Sequence, residues 1–574
     1  MKNTLRFAQV ALLSAILVIS LQAQTLDEEQ RAWVEDRLSQ MTVQEKVGQL
    51  IVGGSETAYM HVESERFQEI LQEIRDYHLG GYHAFRGHVL SAAAMIRRMQ
   101  DAAAIPLFIT ADLEGGVGLI FEGGTRFPKA MALAAAGDEE LVRQVAQATA
   151  REGKALGINV NFYPVVDVNN NPENPIINIR SFGEDPLAVG RLASVYIEAM
   201  QSEGLMATAK HFPGHGDTAQ DSHLELPVIE APLERLEQVE LPPFKAAVEA
   251  GVGAVMTAHL AVPALEPDQT RAASLSSRIV EGVLRRDMDF QGLVITDAMN
   301  MGGVVDHFGD GDAAVEAVLA GSDLVLLPRS VPAVFKALLS AVREGRISAQ
   351  RLEASVRRIL SAKARLGLPG YKPVDLASID EVVGSPEHQE LSEQVMEQAI
   401  TVVRDEKGVL PLRPRPRGTL LLVTLTDSGG SYGRGRALRN ELREHHRNVL
   451  HFDIDADATS NEIRLLRALA ARVDAVVVGG FIRIAAFKGD IALAPNQLET
   501  LRQLAALERP TAFVFFGSPY LLSAVPELPT YILAYEDFPG AEVAAARIIL
   551  GRKPARGKLP VSLPDLYPIG HGNH

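Results

Sequence analysis

One short stretch of the chain concentrates side chains that can bind ligands or transfer protons. Residues 210–223 hold three histidines, two aspartates and a lysine. The preceding apolar run, residues 205–209, predicts a buried strand. Pro213, Gly214 and Gly216 exclude a regular helix after it, so the charged groups are expected on a loop. A strand that leads into a polar loop is typical of the active sites of α/β enzymes.

Three kinds of site are compatible with this stretch. A metal site is disfavoured, because His211 and His215 would share a face only on a helix, which the intervening Pro-Gly pair excludes. A polar turn that satisfies its own hydrogen bonds stays open. The third is a general acid/base pair, Asp221 and His223, which point the same way in extended backbone. A carboxylate beside an imidazole fixes its tautomer and stabilises its protonated form, and this favours proton transfer near neutral pH.

The elements that would position these residues repeat along the first part of the chain. Eight apolar runs with the length of β-strands alternate with helix-like, charge-bearing segments, which predicts a (β/α)8 TIM-like barrel. A doubly wound sheet is the alternative for any single unit. The eight runs are residues 50–52, 80–85, 107–111, 160–168, 205–209, 254–258, 293–296 and 324–327.

Polar side chains follow five of these predicted strands. In a barrel the carboxyl ends of the strands converge on one face, so these side chains are expected to form a single pocket. They are Asp112 and Glu114, Asp167 and Asn169, Lys210 and His211, His259, and Asp297.

Asp297 has two possible roles in this arrangement. It follows an apolar strand directly and precedes a helix-like segment. It could therefore be the N-cap of that helix, or a carboxylate presented to a substrate. The residues alone leave both roles open.

The loop motif is also specific enough to be recognised. Lys-His-Phe-Pro-Gly-His-Gly at 210–216, four residues, and then Asp-Ser-His at 221–223 resembles the signature of bacterial β-N-acetylglucosaminidases of glycoside hydrolase family three, two-domain type. The resemblance implies retaining hydrolysis of terminal β-linked N-acetylglucosamine. It implies His223 as the acid/base, Asp221 as its partner and Asp297 as the nucleophile.

The resemblance also implies substrate-binding residues and shows one departure. Asp112, Lys210 and His211 are expected to bind sugar hydroxyl groups. Arg180, in Arg-Ser-Phe-Gly-Glu-Asp-Pro, is expected to hold hydroxyl or acetamido groups, with a loop-bracing salt bridge as the alternative. Many relatives carry two arginines after Asp-x-Glu-Gly-Gly, where this chain has Val117 and Ile120. The contact expected from the second arginine is therefore missing.

Chain length and composition limit the remaining possibilities. With 574 residues, 47% of them hydrophobic and 22% charged, the chain is expected to hold at least two globular domains. We predict the barrel at 25–370, a linker at 371–398 and a smaller α/β sandwich domain with a mostly parallel sheet at 399–574. A net charge of −16 disfavours nucleic acid as a partner, and the absence of cysteine excludes a thiol nucleophile and Cys-bound zinc. No cofactor and no metal are expected.

The first 24 residues resemble a secretory signal peptide. A positive start is followed by a short apolar core and small residues that allow cleavage. The expected location is periplasmic or secreted, without stable membrane insertion after cleavage; an uncleaved anchor is the alternative. The expected substrate is a small oligosaccharide or muropeptide, such as a chitin or peptidoglycan-recycling fragment. A glycoside phosphorylase, a β-glucosidase and a non-catalytic sugar-binding module are the competing functions.

Overall fold

Eight parallel strands form the first domain. The computed structural model describes residues 26–218, 226–301, 309–427, 433–482 and 493–573. The strands of the first domain are β1 (Ile51–Ser55), β2 (Gly81–Ala84), β4 (Phe108–Ala111), β6 (Val160–Asn161), β7 (Met206–Phe212), β8 (Ala254–Thr257), β9 (Leu293–Thr296) and β10 (Val325–Leu326). The sheet order is β10-β1-β2-β4-β6-β7-β8-β9, and a parallel bridge between Ile295 and Leu324 joins β9 to the chain entering β10. The predicted (β/α)8 barrel is confirmed. A separate ribbon pairs β3 (Gly87–His88) with β5 (Phe121–Glu122).

Two strands differ in length from the sequence prediction. The strand predicted at 160–168 is regular only over β6, because Pro164 cannot donate to the ladder. The chain pairs again at Val165, which bridges to Lys210. Strand β7 runs on to Phe212, so Lys210 and His211 lie on the strand and not on the loop after it.

A capping box opens the second of the barrel helices. Thr42 and Glu45 form it, and the side chain of each accepts the backbone N–H of the other. The helices of this part are Glu28–Gln40, Val43–Gly48, Glu65–Tyr77, Val89–Ala102, Ala130–Ala136, Glu139–Ala155, Pro186–Ser202, Leu233–Gln238, Leu241–Glu249, Asp310–Ala320, Val331–Arg343 and Ala349–Arg365, with a π-helical segment at Arg278–Asp287. Short 3-10 turns lie at Val117–Leu119, Asn178–Arg180, Ala273–Leu275 and Leu368–Gly370.

The second domain is the smaller α/β sandwich that was predicted. Its sheet has six strands, β11 (Thr401–Asp405), β12 (Leu420–Thr426), β13 (Val449–Asp455), β14 (Ala475–Phe481), β15 (Thr511–Phe515) and β16 (Thr530–Leu533). Their order in the sheet is β11-β16-β15-β14-β12-β13, with β11 antiparallel to β16 and the other neighbours parallel. The helices that follow the first strand of this sheet are Arg436–His445, Ser460–Ala470, Pro495–Ala505, Leu521–Ala524 and Pro539–Ile549. Two helices precede the sheet in the chain, Ile379–Val382 and Pro386–Ala399, and Ile379 packs in the barrel core.

Apolar residues from the barrel domain pack in the hydrophobic core of the second domain. Met131, Ala132 and Ala135 of the barrel helix Ala130–Ala136 pack into the core of the second domain, together with Ile179. The predicted linker at 371–398 contains most of the helix Pro386–Ala399, whose Val395 packs in the barrel core and Met396 in the second core. The exact domain boundaries stay a prediction. The predicted signal at 1–24 lies outside the described residues, and none of the described helices is long and apolar enough to cross a bilayer.

Candidate active site

The strand ends bring most of the predicted residues to one face of the barrel. Lys210 and His211 lie in the last three residues of β7, His259 follows β8, and Asp297 is the first residue after β9. Asp112 directly follows β4 in the same way. Because parallel barrel strands all end on one face, these groups surround a common centre.

Asp297 is held as an ionised carboxylate. Its Oδ1 accepts the backbone N–H of Ala298 at 2.7 Å. Burial alone would raise its pKa, but the neighbouring His211 and His259, this hydrogen bond and Lys210 outweigh burial and lower the pKa to about 2. The residues from Asp297 to Met301 form turns rather than a helix, so the N-cap alternative finds no support in the described part of this segment. A carboxylate that is ionised at neutral pH can act as a nucleophile.

A chain of ion pairs lies beside this carboxylate. The Nζ atom of Lys210 lies 2.8 Å from Oδ1 of Asp112 and 2.9 Å from Oε1 of Glu114. Arg180 donates to both oxygens of Glu114 from Nε and Nη2, at 2.9 and 2.8 Å. The side chain of Lys210 is 4% exposed and that of Asp112 is 38% exposed, so Asp112 is the member of the network most open to a ligand.

Arg180 therefore forms the salt bridge that the sequence offered as its alternative role. Its Nη1 also donates to the carbonyl of Ile176 at 3.3 Å. Because its guanidinium group already donates hydrogen bonds to Glu114 and Ile176, Arg180 has few N–H groups left for a sugar. Arg180 Nη2 lies 3.5 Å from Nε2 of His211, and Arg180 shares Glu114 with Lys210. A direct contact between Arg180 and the substrate stays a prediction.

Asp167 and His211 form a buried carboxylate–imidazole pair that sequence reasoning did not identify. The Nδ1 atom of His211 lies 2.7 Å from Oδ2 of Asp167. The other oxygen of Asp167 accepts the backbone N–H of His211 at 3.2 Å and of His215 at 2.7 Å. Burial would raise the pKa of Asp167, but His211, His215 and these hydrogen bonds lower it. The carboxylate is ionised and accepts, so Nδ1 of His211 carries the proton and Nε2 faces the site.

Three further histidines lie at the carboxyl ends of barrel strands, namely His83 in β2, His215 after β7 and His259 after β8. His259 bonds Ser274 through Nδ1 at 2.8 Å and the carbonyl of Ala298 through Nε2 at 3.2 Å, which ties it to the segment that carries Asp297. Burial lowers the pKa of His215 to about 4 and also lowers that of His83, so both are neutral at pH 7. His259 was noted in the sequence only as a polar strand end, and no spacing indicated its contact with residue 298.

The predicted acid/base pair, Asp221 and His223, lies outside the described residues, which stop at 218 and resume at 226. Two alternative acids do lie within them. Burial would raise the pKa of Glu114, but Arg180 and Lys210 hold it well below its ordinary value, so Glu114 is a poor proton donor near neutral pH. Asp217 is 32% exposed and lies 3.7 Å from Arg235.

The two positions at which the family resemblance led us to expect arginine are apolar and packed. Val117 is fully buried in the barrel core, and Ile120 packs against that core. Arg126, the next arginine along the chain, donates from Nη2 to Glu536 of the second domain at 2.6 Å. Arg126 is thereby used in a contact between domains, and the loss of a substrate contact at residue 120 stays a prediction.

The second domain holds two of the loops that carry site residues. Glu536 also accepts the backbone N–H of Lys129 at 3.0 Å, and the hydroxyl of Tyr520 accepts from Asn169 at 2.8 Å. These contacts fix the loop after β4 and the loop after β6, which carry Glu114 and Asp167. Within the described ranges, no three His, Asp or Glu side chains are grouped closely enough to hold a metal ion.

An ionised carboxylate beside histidines, on the carboxyl face of a barrel, defines a site for nucleophilic and acid–base chemistry. Comparison with known proteins agrees with this. Residues 42–362 match the glycosyl hydrolase family 3 N-terminal domain. A protein of Cellulomonas fimi named β-N-acetylglucosaminidase/β-glucosidase is 31% identical over 566 residues, covering 94% of this chain and 96% of that protein. The chain belongs to glycosyl hydrolase family 3 and is a glycoside hydrolase.

Solved structures agree on the two-domain architecture. A family 3 β-N-acetylglucosaminidase from Paenibacillus sp. str. FPU-7 is 36% identical with a TM-score of 0.82, covering 91% of this chain and 99% of that one. A β-glucoside phosphorylase, BglX, bound to 2FGlc, is 27% identical with a TM-score of 0.84, covering 94% and 97%. The chain is thus similar to enzymes of more than one activity.

Proposed function

We propose that this glycoside hydrolase is a retaining exo-β-N-acetylglucosaminidase that releases terminal β-linked N-acetylglucosamine. The observation that carries the proposal is the carboxylate of Asp297, ionised at the end of β9 and next to His211. The relatives named β-N-acetylglucosaminidase support the sugar, and the Asp-Ser-His motif at 221–223 supports the acid/base.

The reaction would proceed in two balanced steps. Asp297 attacks the anomeric carbon while His223 gives a proton to the leaving oxygen, and the glycosidic bond breaks. His223, oriented by Asp221, then takes a proton from water as the water oxygen attacks the anomeric carbon. The bond to Asp297 breaks and the sugar leaves with its original configuration.

The surrounding residues would bind the sugar. Asp112, the exposed end of the ion-pair network, can accept from two neighbouring hydroxyl groups. Lys210 makes two of its three possible hydrogen bonds within the network, which leaves one N–H for a ligand. His211 presents Nε2, because Asp167 holds its Nδ1.

A substrate screen tests the sugar assignment. Aryl β-glycosides that differ only at C2 or C4, namely the N-acetylglucosaminide, the glucoside and the N-acetylgalactosaminide, share one leaving group and therefore compare the sugar subsite alone. We expect the highest kcat/KM with the N-acetylglucosaminide and the β anomer as the first product seen by NMR. An equal or higher kcat/KM with the glucoside would contradict the assignment. Asp297→Asn is the matched inactive control.

A glycoside phosphorylase is the second candidate, and the likeness to BglX favours it. A histidine acid/base repels a phosphate nucleophile less than a carboxylate would. Product analysis with and without inorganic phosphate separates the two outcomes. A hydrolase releases free sugar at the same rate in both, whereas a phosphorylase turns over faster with phosphate and yields the sugar 1-phosphate.

The location and natural substrate belong to the same proposal. The signal-like residues 1–24 favour a periplasmic or secreted enzyme, which would meet muropeptide or chitin fragments there. Sequencing the amino terminus of the protein purified from the periplasm would test this; an uncleaved Met1 in the cytoplasmic fraction would contradict it.

A further inference from the structure

A second cavity lies at the opposite end of the barrel from Asp297. It has a volume of 320 Å³ and lies between the amino-terminal ends of β8 and β9 and the helix Ala349–Arg365. Its wall is formed by Gly253, Gln291, Gly292 and Leu293 on the strand side, and by Ala354, Arg357, Arg358, Ser361, Ala362 and Arg365 on the helix side. From residue 292 to Asp297 the strand spans about 16 Å, so a molecule in this cavity cannot touch a sugar at the active site.

The wall carries positive charge only. The three arginines come from one helix, and none of the residues that line the cavity is acidic. Arg358 and Arg365 are seven residues apart, or two helical turns, and Ser361 lies between them on the same face. The side chains at 354, 361 and 362 are small and fill little of the space beside the helix.

The nearby carboxylates do not neutralise all of these arginines. Arg357 pairs with Glu35 at 2.9 and 3.0 Å. Arg358 lies 3.1 Å from Asp323, but Asp323 is fully buried and also bonds Arg285 at 2.6 Å. Asp323 thus shares one negative charge between at least two cations.

Arg365 is the remaining cation. It is exposed at the mouth of the cavity, and within the described ranges it makes no ion pair or side-chain hydrogen bond. The side-chain amide of Gln291, which also lines the cavity, donates a hydrogen bond to Asp289. Asp289 is not one of the residues that line the cavity. In a chain with a net charge of −16, such a concave cationic site is a local exception.

We propose that this cavity binds a phosphorylated small molecule of monosaccharide size. The planar fork of an arginine matches the oxygens of a phosphate group, and the hydroxyl of Ser361 adds a neutral donor. The volume is at the lower end of the range for small-molecule sites, about 300–1,000 Å³, and is far larger than inorganic phosphate requires. A concave site of this size favours a small ligand over an extended polyanion such as nucleic acid.

Titration calorimetry on the full chain tests the proposal. The probes are N-acetylglucosamine 6-phosphate, inorganic phosphate, sulfate and unphosphorylated N-acetylglucosamine. With unphosphorylated N-acetylglucosamine present at saturating concentration to occupy the active site, we expect one saturable site per chain for the sugar phosphate and weaker binding of inorganic phosphate and sulfate. Equal affinity for inorganic phosphate and the sugar phosphate would overturn the assignment of the ligand class.

Three variants separate this cavity from the active site. Arg365→Ala removes the unpaired cation, and Ser361→Leu fills the cavity without changing charge; each is expected to weaken sugar-phosphate binding by roughly tenfold or more. Arg98→Ala removes an exposed arginine from another helix and is expected to change nothing. All three should keep the kcat/KM of the wild-type enzyme on an aryl glycoside. No saturable binding, or equal binding by all variants, would overturn the proposal.

Discussion

The Nδ1 atom of His211 lies 2.7 Å from Oδ2 of the fully buried Asp167, and the second oxygen of Asp167 accepts the backbone N–H groups of His211, at the end of β7, and of His215, in the loop that follows. The pair therefore fixes both the tautomer of His211 and the path of the chain between residues 211 and 215. His211 in turn is the largest influence that lowers the pKa of Asp297 against its burial. The buried carboxylate of Asp167 thus acts on Asp297 through the imidazole of His211.

Asp167→Asn should slow turnover by roughly 10- to 100-fold, which corresponds to the loss of about 1.5–3 kcal/mol from a hydrogen bond to a charged group. The amide can donate to Nδ1 and reverse the tautomer of His211. If Asp167 acts only through His211, the double variant with His211→Gln should be no slower than His211→Gln alone. Additive losses in kcat/KM would contradict this coupling.

The pKa of about 2 for Asp297 makes a prediction about the acid limb of the pH–rate profile. A depressed carboxyl pKa means that the nucleophile is ionised at all pH values above roughly 3 and is lost only as the pH falls through the folded value. His223 must carry a proton to act as the acid in the glycosylation step that kcat/KM reports, so the loss of that proton affects only the basic limb of this profile. We therefore expect kcat/KM to stay flat between pH 7 and pH 4. In His223→Ala, with an aryl substrate of very acidic leaving group, the basic limb should disappear and the flat region should remain. A fall of kcat/KM near pH 5 in the folded enzyme would show that the pKa of Asp297 is not depressed.

His223→Ala should impair the two half-reactions unequally. A very acidic leaving group needs little protonation, so glycosylation should partly survive while the glycosyl-enzyme accumulates. Azide needs no general base and should restore turnover, giving a β-glycosyl azide. Asp221→Ala should show a milder form of this behaviour, because the imidazole remains without its orienting partner. If azide has no effect and good and poor leaving groups lose equally, His223 is not the acid/base.

Glu536→Gln should loosen the barrel loop that the second domain holds. The change removes the charge that Arg126 and Lys129 share, and about 1.5–3 kcal/mol of stability should be lost. Calorimetric unfolding measures this loss. Glu527→Gln is the matched control, since Glu527 forms an equally short but exposed pair with Arg502 at 2.6 Å and should change stability by less than about 1 kcal/mol. Equal shifts for the two variants would show that the domain contact does not stabilise the fold.

The sequence predicted the positions of individual site residues better than it predicted the side chains with which they form ion pairs and hydrogen bonds. Asp112, Lys210 and Asp297 could be placed at one face because each follows an apolar run, and strand ends converge in a barrel. Local spacing could not reveal that His211 pairs with Asp167, 44 residues away, or that Arg180 grips Glu114, 66 residues away.

The contact of Arg126 with Glu536 spans 410 residues and two domains, so it depends on how the folded units pack. The lengths of the strands also could not be predicted from the local sequence alone. The run at 160–168 has the composition of one long strand, yet Pro164 interrupts the ladder and the pairing of Val165 with Lys210 is set by the neighbouring strand.

In the proposed mechanism Asp297 forms a covalent bond to the sugar. The most direct test is to incubate the enzyme with a 5-fluoro-N-acetylglucosaminyl fluoride, which slows both steps so that the glycosyl-enzyme accumulates, and to map the modified peptide by mass spectrometry. We predict one added sugar per chain, located on Asp297, and no labelling of Asp297→Asn. A label on another carboxylate, such as Asp112 or Glu114, or full turnover of an Asp297→Ala enzyme, would contradict the account.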